Sequence, residues 1–449
     1  MTVREIIRTY LGISGLYTLS VSLSWGINTL FLLDAGLDLL ETFLANAAFT
    51  LAMVLFEIPT GVLADTRGRR ASFLASVVVL VVGILCYLGA AHTASGLGPF
   101  IAASMVLGLG FTFYSGAVEA WLVDALQHAG YEGEMDRIFA RGQMVTGAAM
   151  LIGAILGGFL GDLHLSLPFV LRLVLLVPVF ALAWYRMKDL GFEPQALEWR
   201  AIPREMQRVS RTGVEFGWRQ IRVRWMMFVG LVQFGFMMWG FYAWQPYFLE
   251  LLGRDAVWVA GVVGALMSLS IIVGNALVDR LTRYCGRRTT LLLIASAVET
   301  AAAIGIGLAD SFTAAVASFL VMMAASGVVG PVKQAYLHAS IPSEHRATVI
   351  SFDSMFQNGG GILGQIGLGH FSRARGIGPA YALGGFATVL ALPMLWILRR
   401  LGGPADQIVG ESAGKKAPCA GQGLPEVSAL DTASRQGEVD AHRSGDHHS

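Results

Sequence analysis

The feature that most restricts the fold of this chain is a succession of apolar windows separated by short polar connections. A helix that crosses a bilayer needs about 20 mostly apolar residues. Because 55% of the residues are hydrophobic and only 14% are charged, a soluble fold of this length could not bury so much apolar surface. The sequence therefore predicts an all-α membrane protein with twelve transmembrane helices. The windows cover residues 13–35, 42–64, 72–92, 97–124, 142–162, 166–186, 225–249, 256–278, 289–309, 312–339, 347–371 and 378–399.

The distribution of Lys and Arg predicts the orientation, because cytoplasmic connections hold the excess of positive charge. With a cytoplasmic N-terminus, the external connections carry only Arg254, Arg373 and Arg375, and the cytoplasmic ones carry many more. We therefore expect a multi-pass protein of the cytoplasmic (inner) membrane with both termini in the cytoplasm. Since this orientation accounts for the basic residues, the net charge of +1 does not indicate nucleic-acid binding. The expected partners are the lipid bilayer, protons and a small molecule, and the expected state is a monomer.

A charged turn at residues 61–70 has a looser copy at residues 274–288, one six-helix half later. Both contain Gly, then Asp, then Gly-Arg-Arg. Since six is an even number of spans, the two halves have the same topology, which is a parallel repeat with an expected cavity between its halves. The predicted parts are an N-terminal half at 1–187, a cytoplasmic linker with a basic amphipathic helix at 188–222, a C-terminal half at 223–401 and a disordered cytoplasmic tail at 402–449.

The first turn resembles the signature of the major facilitator superfamily, Gly-x-x-x-Asp-Arg-x-Gly-Arg-Arg between helices 2 and 3. One position departs from it, because Thr66 stands where the family usually has a basic residue. Segments 57–61 and 115–121 resemble bacterial drug-efflux-type members, whereas segment 153–158 lacks the Pro of the helix-5 motif of proton-coupled exporters. Over roughly residues 10–400, the resemblance implies the major facilitator fold and suggests export by antiport. The matching residues are Gly61, Asp65, Gly68, Arg69 and Arg70.

The same turn suggests a gate on the cytoplasmic side. Asp65 stands at a helix end beside arginines, so charge and helix dipole could hold the inner ends of the two halves together. By resemblance, Asp124 at the end of the fourth helix would pair with Arg69 and hold the outward-facing state. The alternative is an ordinary basic loop with carboxylates at the membrane interface. We assign to this gate Gly61, Asp65, Arg67, Gly68, Arg69, Arg70 and Asp124.

Carboxylates inside the apolar windows are the candidates for proton coupling, because an ionisable group in hydrocarbon usually faces a cavity or a partner. Glu57 and Glu119 lie deeper than Asp65 and Asp124, and Asp353 lies about two turns into the eleventh helix. The alternative is a hydrogen-bonded carboxyl that only tethers helices.

Three further charged residues lie in the windows. Lys333 is at a depth similar to that of Asp353, so the two predict a buried ion pair that is either structural or opened by protonation. For Glu299, a helix-packing or lipid-facing role fits the sequence as well as a functional one. Arg172 could bind an anionic group, but we favour a side chain that snorkels to the surface.

Polar and aromatic residues at helical spacing predict the wall of a substrate cavity, because they share one face of their helices. Such a wall suits a medium-sized amphipathic molecule. For the tryptophan of the seventh helix, a position in an interfacial belt is the alternative. The candidates are Tyr17, Ser24, Asn28, Gln233, Trp244 and Gln357.

The sequence contains no nucleotide-binding loop, nucleophile motif or metal-ligand cluster, so no enzymatic activity, cofactor or metal is expected. We predict a proton-coupled secondary transporter that exports a lipophilic or amphipathic drug or natural product by alternating access. An importer of a sugar or other metabolite is the first alternative, although importers line their site with more hydrogen-bonding groups. A membrane sensor without transport activity is the second alternative, and it predicts that the carboxylates can be neutralised without effect.

Overall fold

The protein is helical throughout the part that the computed structural model describes. Its described residues form no β-strand, and an isolated bridge joins Arg287 to Gln407. The described residues are 1–93, 96–192, 204, 207–208, 211–253, 256–342 and 345–407.

The first half contains eight helical segments that form six membrane-length elements. A capping box of Thr2 and Glu5 begins the first helix, because each side chain accepts a hydrogen bond from the backbone N–H of the other. The segments are α1 (Val3–Trp25), α2 (Asn28–Asp34), α3 (Leu39–Arg67), α4 (Arg69–His92), α5 (Leu97–Tyr114), α6 (Ala117–His128), α7 (Met135–Leu163) and α8 (Leu167–Arg186).

The second half follows a short π-helix at Gly213–Trp218 and repeats the arrangement. Its helices are α9 (Ile221–Leu252), α10 (Val257–Cys285), α11 (Arg288–Gly307), α12 (Phe312–Ser340), α13 (Arg346–Arg375), α14 (Ile377–Thr388) and α15 (Ala391–Leu401).

The twelve predicted windows correspond to these helices, and three of them are bent or broken. Among the described residues, 10 spans are long and apolar enough to cross a membrane, and α1 with α2, bent by 43°, adds an eleventh. The remaining window is α13, which has 30 residues but is more polar. Its polar residues contact cavities and the other half, so they are shielded from lipid.

The repeated Ser-Gly dipeptide has different consequences in the two halves. Gly116 has φ +72 and separates α5 from α6, a left-handed conformation that glycine adopts without a steric penalty. Gly327 lies inside the continuous α12, where a Cβ would lie 2.5 Å from the carbonyl oxygen of Ile271. The first glycine therefore breaks a helix, and the second allows two helices to pack closely.

The two halves contact each other at the end of the bundle opposite the Arg-rich turns. We call the end that holds Gly68 and Gly286 the basic end and the other the distal end. At the distal end Asp38 forms an ion pair with Arg373, with 3.2 Å between Oδ2 and Nη2. The Val257 N–H donates to Asp162 at 2.9 Å, and the Thr29 hydroxyl donates to the Tyr242 carbonyl at 2.7 Å.

Glycines bring α7 and α10 into close contact at the same end. A Cβ added to Gly158 would lie 2.6 Å from the Cα of Gly261, so any side chain there would force the helices apart. The distal end is therefore closed by backbone packing as well as by polar contacts.

A carboxylate caps the third membrane-length element of each half. Asp189, after α8, accepts a hydrogen bond from the Arg70 N–H at 2.9 Å, and Asp406, after α15, accepts one from the Thr289 N–H at 2.8 Å. Arg70 and Thr289 are the second residues of α4 and α11, where backbone N–H groups have no partner in the helix. Each half thus ties its last segment back to its own third element.

These caps correct two predicted boundaries. Residues 188–192 pack against the first half, as shown by the Trp121 indole donating to the Lys188 carbonyl at 2.7 Å. Residues 404–406 form a 3₁₀ turn with Asp406 only 2% exposed, so the predicted tail at 402–449 does not begin at 402. Asp189 and Asp406, which make the two caps, both lie beyond the predicted ends of their halves. The rest of the tail and most of the predicted linker helix lie outside the described residues.

Candidate functional site

A cavity of about 300 Å³ lies inside the bundle, next to the contacts between the halves. Most of its wall comes from α1, α2, α3, α4, α5 and α8, and α9 and α13 supply the remainder. Its lining is mainly aromatic and aliphatic, and this composition is typical of small-molecule sites. The lining residues are Val21, Ser24, Trp25, Asn28, Asn46, Phe49, Thr50, Met53, Leu80, Tyr87, Ser104, Leu107, Phe111, Phe169, Arg172, Phe234, Met238, Phe241, Tyr242 and Asn358.

A small network of amides fixes the polar part of the wall. The Asn28 amide donates to Asn46 Oδ1 at 3.0 Å, and the Tyr87 hydroxyl donates to Asn28 Oδ1 at 3.2 Å. Asn28 is the first residue of α2, directly after the bend in the first membrane-length element. The bend therefore places the amide among three helices of the first half.

Arg172 is the charged residue of this wall. Its side chain does not snorkel as predicted, because the residue is only 7% exposed and lines the cavity. Its Nη1 donates to the Ser24 hydroxyl at 3.1 Å, and its Nε has no hydrogen-bond partner. Since α8 packs against α1 and α4, a long side chain near its start points into the bundle.

Two of the six predicted cavity residues, Ser24 and Asn28, lie on this wall. Tyr17 instead stacks on Tyr114 with ring centroids 3.8 Å apart. Gln233 donates to the Ser296 hydroxyl at 2.8 Å. These two side chains face the interior of their own half, because a helical face says nothing about which neighbour it meets.

The other two predicted cavity residues lie elsewhere. Trp244 is packed against Phe319, with ring centroids 5.7 Å apart, and borders only a void of about 20 Å³. Gln357 lines a separate cavity, where its amide donates to Asp353 at 2.6 Å. The aromatic residues that do form the wall were not predicted, because in the sequence they do not differ from lipid-facing ones. Asn46 could have been found, since it is an amide within an apolar window.

Lys333 and Asp353 form a buried ion pair beside this second cavity of about 230 Å³. Their Nζ and Oδ2 atoms are 3.6 Å apart, and both side chains are buried. The second carboxylate oxygen of Asp353 has no hydrogen-bond partner. Some hydrogen-bonding capacity of the pair is therefore unused, and the adjoining cavity has room for water.

The carboxylates Glu57 and Glu119 are half-buried and border neither cavity. Glu119 lies in the first turn of α6, where the helix dipole favours a negative charge, and its Oε2 atom is buried without a partner. Glu299 is buried in the second half and accepts a hydrogen bond from Gln233 at 3.5 Å. Among the described residues, the lining of the central cavity therefore contains no carboxylate, and its charged residue is Arg172.

The basic turn begins at Gly68, whose φ of +101 is accessible to glycine. Arg69 Nη1 lies 2.6 Å from Asp65 Oδ1, and Arg69 Nε lies 3.8 Å from Asp124 Oδ2. All three residues belong to the first half, so in this structure the gate contacts do not bridge the two halves as predicted. Gly61 and Arg67 are both exposed.

Arg70 fixes the turn against the last turn of α8 and the segment that follows it. Its guanidinium donates to the Trp184 carbonyl at 2.6 Å and lies 5.0 Å from the Trp184 ring centroid. Burial raises the pKa of the Asp189 carboxyl above its ordinary value, and the hydrogen bond from the Arg70 N–H opposes this shift.

These features define a multi-pass membrane protein with two parallel helical halves and a cavity inside the bundle. The model of the Major Facilitator Superfamily matches residues 11–298 and 258–430, and the chain belongs to this family of transporters. A transporter of Bacillus subtilis (strain 168), described as the uncharacterized MFS-type transporter YxaM, is 25% identical over 169 residues. That match covers 37% of this chain and 40% of the relative.

Solved structures show the same fold at low sequence identity. The nucleoside transporter NupG has a TM-score of 0.72 at 11% identity, covering 88% of this chain and 99% of that one. The D-xylose-proton symporter has a TM-score of 0.65 at 15% identity, covering 88% of this chain and 97% of that one. The human organic anion transporter MFSD10 has a TM-score of 0.61 at 16% identity, covering 88% and 100%.

Proposed function

We propose that this transporter is a proton-coupled exporter of a lipophilic or amphipathic small molecule. The carrying observation is the central cavity, because Phe, Tyr, Trp and Met supply half of its lining residues and its wall surface is mainly apolar. Its volume of about 300 Å³ lies at the lower end of the range of drug-sized sites. The polar side chains of the wall could orient a ligand, but its large aromatic surface favours a ligand with an apolar part over a sugar.

Alternating access around this cavity is part of the proposal. The basic end would face the cytoplasm, since cytoplasmic connections carry the excess of Lys and Arg. The present structure, joined at its distal end, would then be the inward-facing state. In the outward-facing state, Asp65, Arg69 and Asp124 would lie against the second half and form the gate that Gly61, Arg67, Gly68 and Arg70 shape.

Asp353 is the proposed proton carrier that the structure supports most directly. It is buried, borders a cavity and is held by one cation and one amide. Protonation would remove its attraction to Lys333 and leave a buried cation without a counter-ion, which favours a rearrangement. Glu57 and Glu119 remain candidates for the same role in the first half.

Transport into inverted membrane vesicles tests this function. We expect an acidic vesicle lumen to drive uptake of amphipathic compounds, tested as matched cationic, neutral and carboxylate forms. Asp353→Asn should abolish the dependence on the gradient, whereas Asp310→Asn, which changes an exposed carboxylate in the connection between α11 and α12, should not. Uptake driven by an acidic external medium would show import instead, and no gradient-driven uptake of any form would contradict the proposal.

A further inference from the structure

The central cavity contains a buried cation whose charge is not balanced by any neighbour among the described residues. The cavity wall includes no Asp or Glu, and no described ion pair involves Arg172. An isolated charge in a low-dielectric interior is strongly unfavourable, and buried charges are normally paired. This arrangement is therefore incomplete as a purely structural element.

The hydrogen bonds of Arg172 are incomplete as well. A guanidinium has five N–H donors in one plane, and the contact with the Ser24 hydroxyl uses one of them. The Nε atom is buried without a partner, although it belongs to the edge of the guanidinium that can bind a carboxylate in a bidentate manner. The bond to Ser24 uses Nη1, and no described hydrogen bond uses Nε or Nη2, the two nitrogens of that edge.

The surroundings of this cation restrict the rest of the ligand. Phe169 lies one turn before Arg172, and its ring centroid is 4.5 Å from that of Phe31 and 5.8 Å from that of Tyr87. An aromatic cluster therefore belongs to the same part of the wall as Arg172. Asn28 and Asn46 add amide groups a short distance along the same wall. The site thus combines one positive charge with a large apolar surface.

We propose that Arg172 binds the carboxylate of an amphipathic organic anion, so that the transported substrate is an aromatic or aliphatic acid. This inference rests on the proposed function, because it takes the central cavity to be the substrate site. The ligand supplies the counter-charge that the protein lacks, and its apolar part fills the aromatic wall. A cationic compound would meet an unbalanced positive charge in the same position and would be excluded.

Calorimetric titration of the purified full-length chain in detergent tests the assignment with three matched probes. They are naphthalene-2-carboxylate, naphthalene-2-carboxamide and 2-(aminomethyl)naphthalene, at a pH where the acid and the amine are ionised. We expect the carboxylate to bind at least about 10-fold more tightly than the carboxamide, since hydrogen bonds between charged groups are worth more than neutral ones. The amine should bind most weakly.

Substitutions then locate the effect. Arg172→Gln should bring the carboxylate and the carboxamide to within about 3-fold of each other, with carboxamide binding retained as evidence of a folded cavity. Arg172→Lys keeps the charge but loses the planar fork, so it should weaken only the carboxylate, by roughly 3-fold to 10-fold. Arg375→Gln removes an exposed arginine at the distal end and should bind all three probes like the wild type.

Several outcomes would overturn the assignment: no carboxylate preference in the wild type, no binding of any probe, or a preference that survives in Arg172→Gln. If that variant does not fold, unchanged carboxylate affinity in Arg172→Lys would overturn it. Loss of gradient-driven transport with an intact Arg172-dependent preference would refute the proposed function alone. Gradient-driven export of cations without such a preference would refute the anion site alone.

Discussion

The ion pair of Lys333 and Asp353 gives the most quantitative prediction. At 3.6 Å and an effective dielectric constant of about 20, the Coulomb attraction between two unit charges is about 5 kcal/mol. Water in the adjoining cavity of about 230 Å³ raises the local dielectric constant, so we expect a coupling free energy of roughly 2–4 kcal/mol. Because a single substitution leaves the other charge buried and unpaired, the double substitution should destabilise less than the sum of the two single substitutions.

A double-mutant cycle measures this coupling. Lys333→Met, Asp353→Asn and the double variant would be unfolded in mixed micelles of mild detergent and SDS, and the three changes in the free energy of unfolding compared. The matched control is the pair Arg137 and Glu134, whose Nε and Oε2 atoms are only 2.6 Å apart, but whose side chains are 77% and 68% exposed. Solvent screening should limit that coupling to below about 1 kcal/mol. Additive effects at Lys333 and Asp353, or equal coupling in both pairs, would refute the reasoning.

Three further predictions concern the contacts at the two ends of the bundle. Gly158→Ala should prevent closure of the distal end and lower the transport rate in vesicles at least about 10-fold. Gly89→Ala should leave this rate unchanged, because an added Cβ there meets no neighbouring atom within 4 Å. Arg69→Ala should impair transport strongly and the neighbouring exposed Arg67→Ala weakly, and equal effects in the same assay would contradict the gate. Asp189→Ala should lower the free energy of unfolding by about 1 kcal/mol through loss of a helix cap, which thermal unfolding checks.

Much of the fold could be predicted because each membrane-length helix is encoded locally. Apolar length, the basic turns and the duplicated spacing depend on neighbouring residues, and the helices agree with them. The break at Gly116 and the continuous helix through Gly327 could not be told apart from sequence. The difference arises from which backbone lies opposite each glycine, and a single sequence does not contain that information.

The candidate site was less predictable, because its side chains are assembled from eight different helices. Helical spacing grouped Ser24 with Asn28, and both line the same cavity. It could not separate a face toward the cavity from one toward a neighbouring helix, as for Tyr17. Arg172 was interpreted from its depth alone, and depth favours snorkelling. Its actual position depends on the packing of α8 against α1, which turns the side chain inward.

The matched caps made by Asp189 and Asp406 also bear on how the molecule could be taken apart. Each joins the end of its own half to the start of a helix in that half, so neither depends on a continuous chain between the halves. Two separately expressed fragments, one ending after Asp189 and one reaching Asp406, should each retain their internal closure and reassemble in one membrane. The two halves would then associate without a covalent connection, and the linker would serve mainly to produce them in equal number.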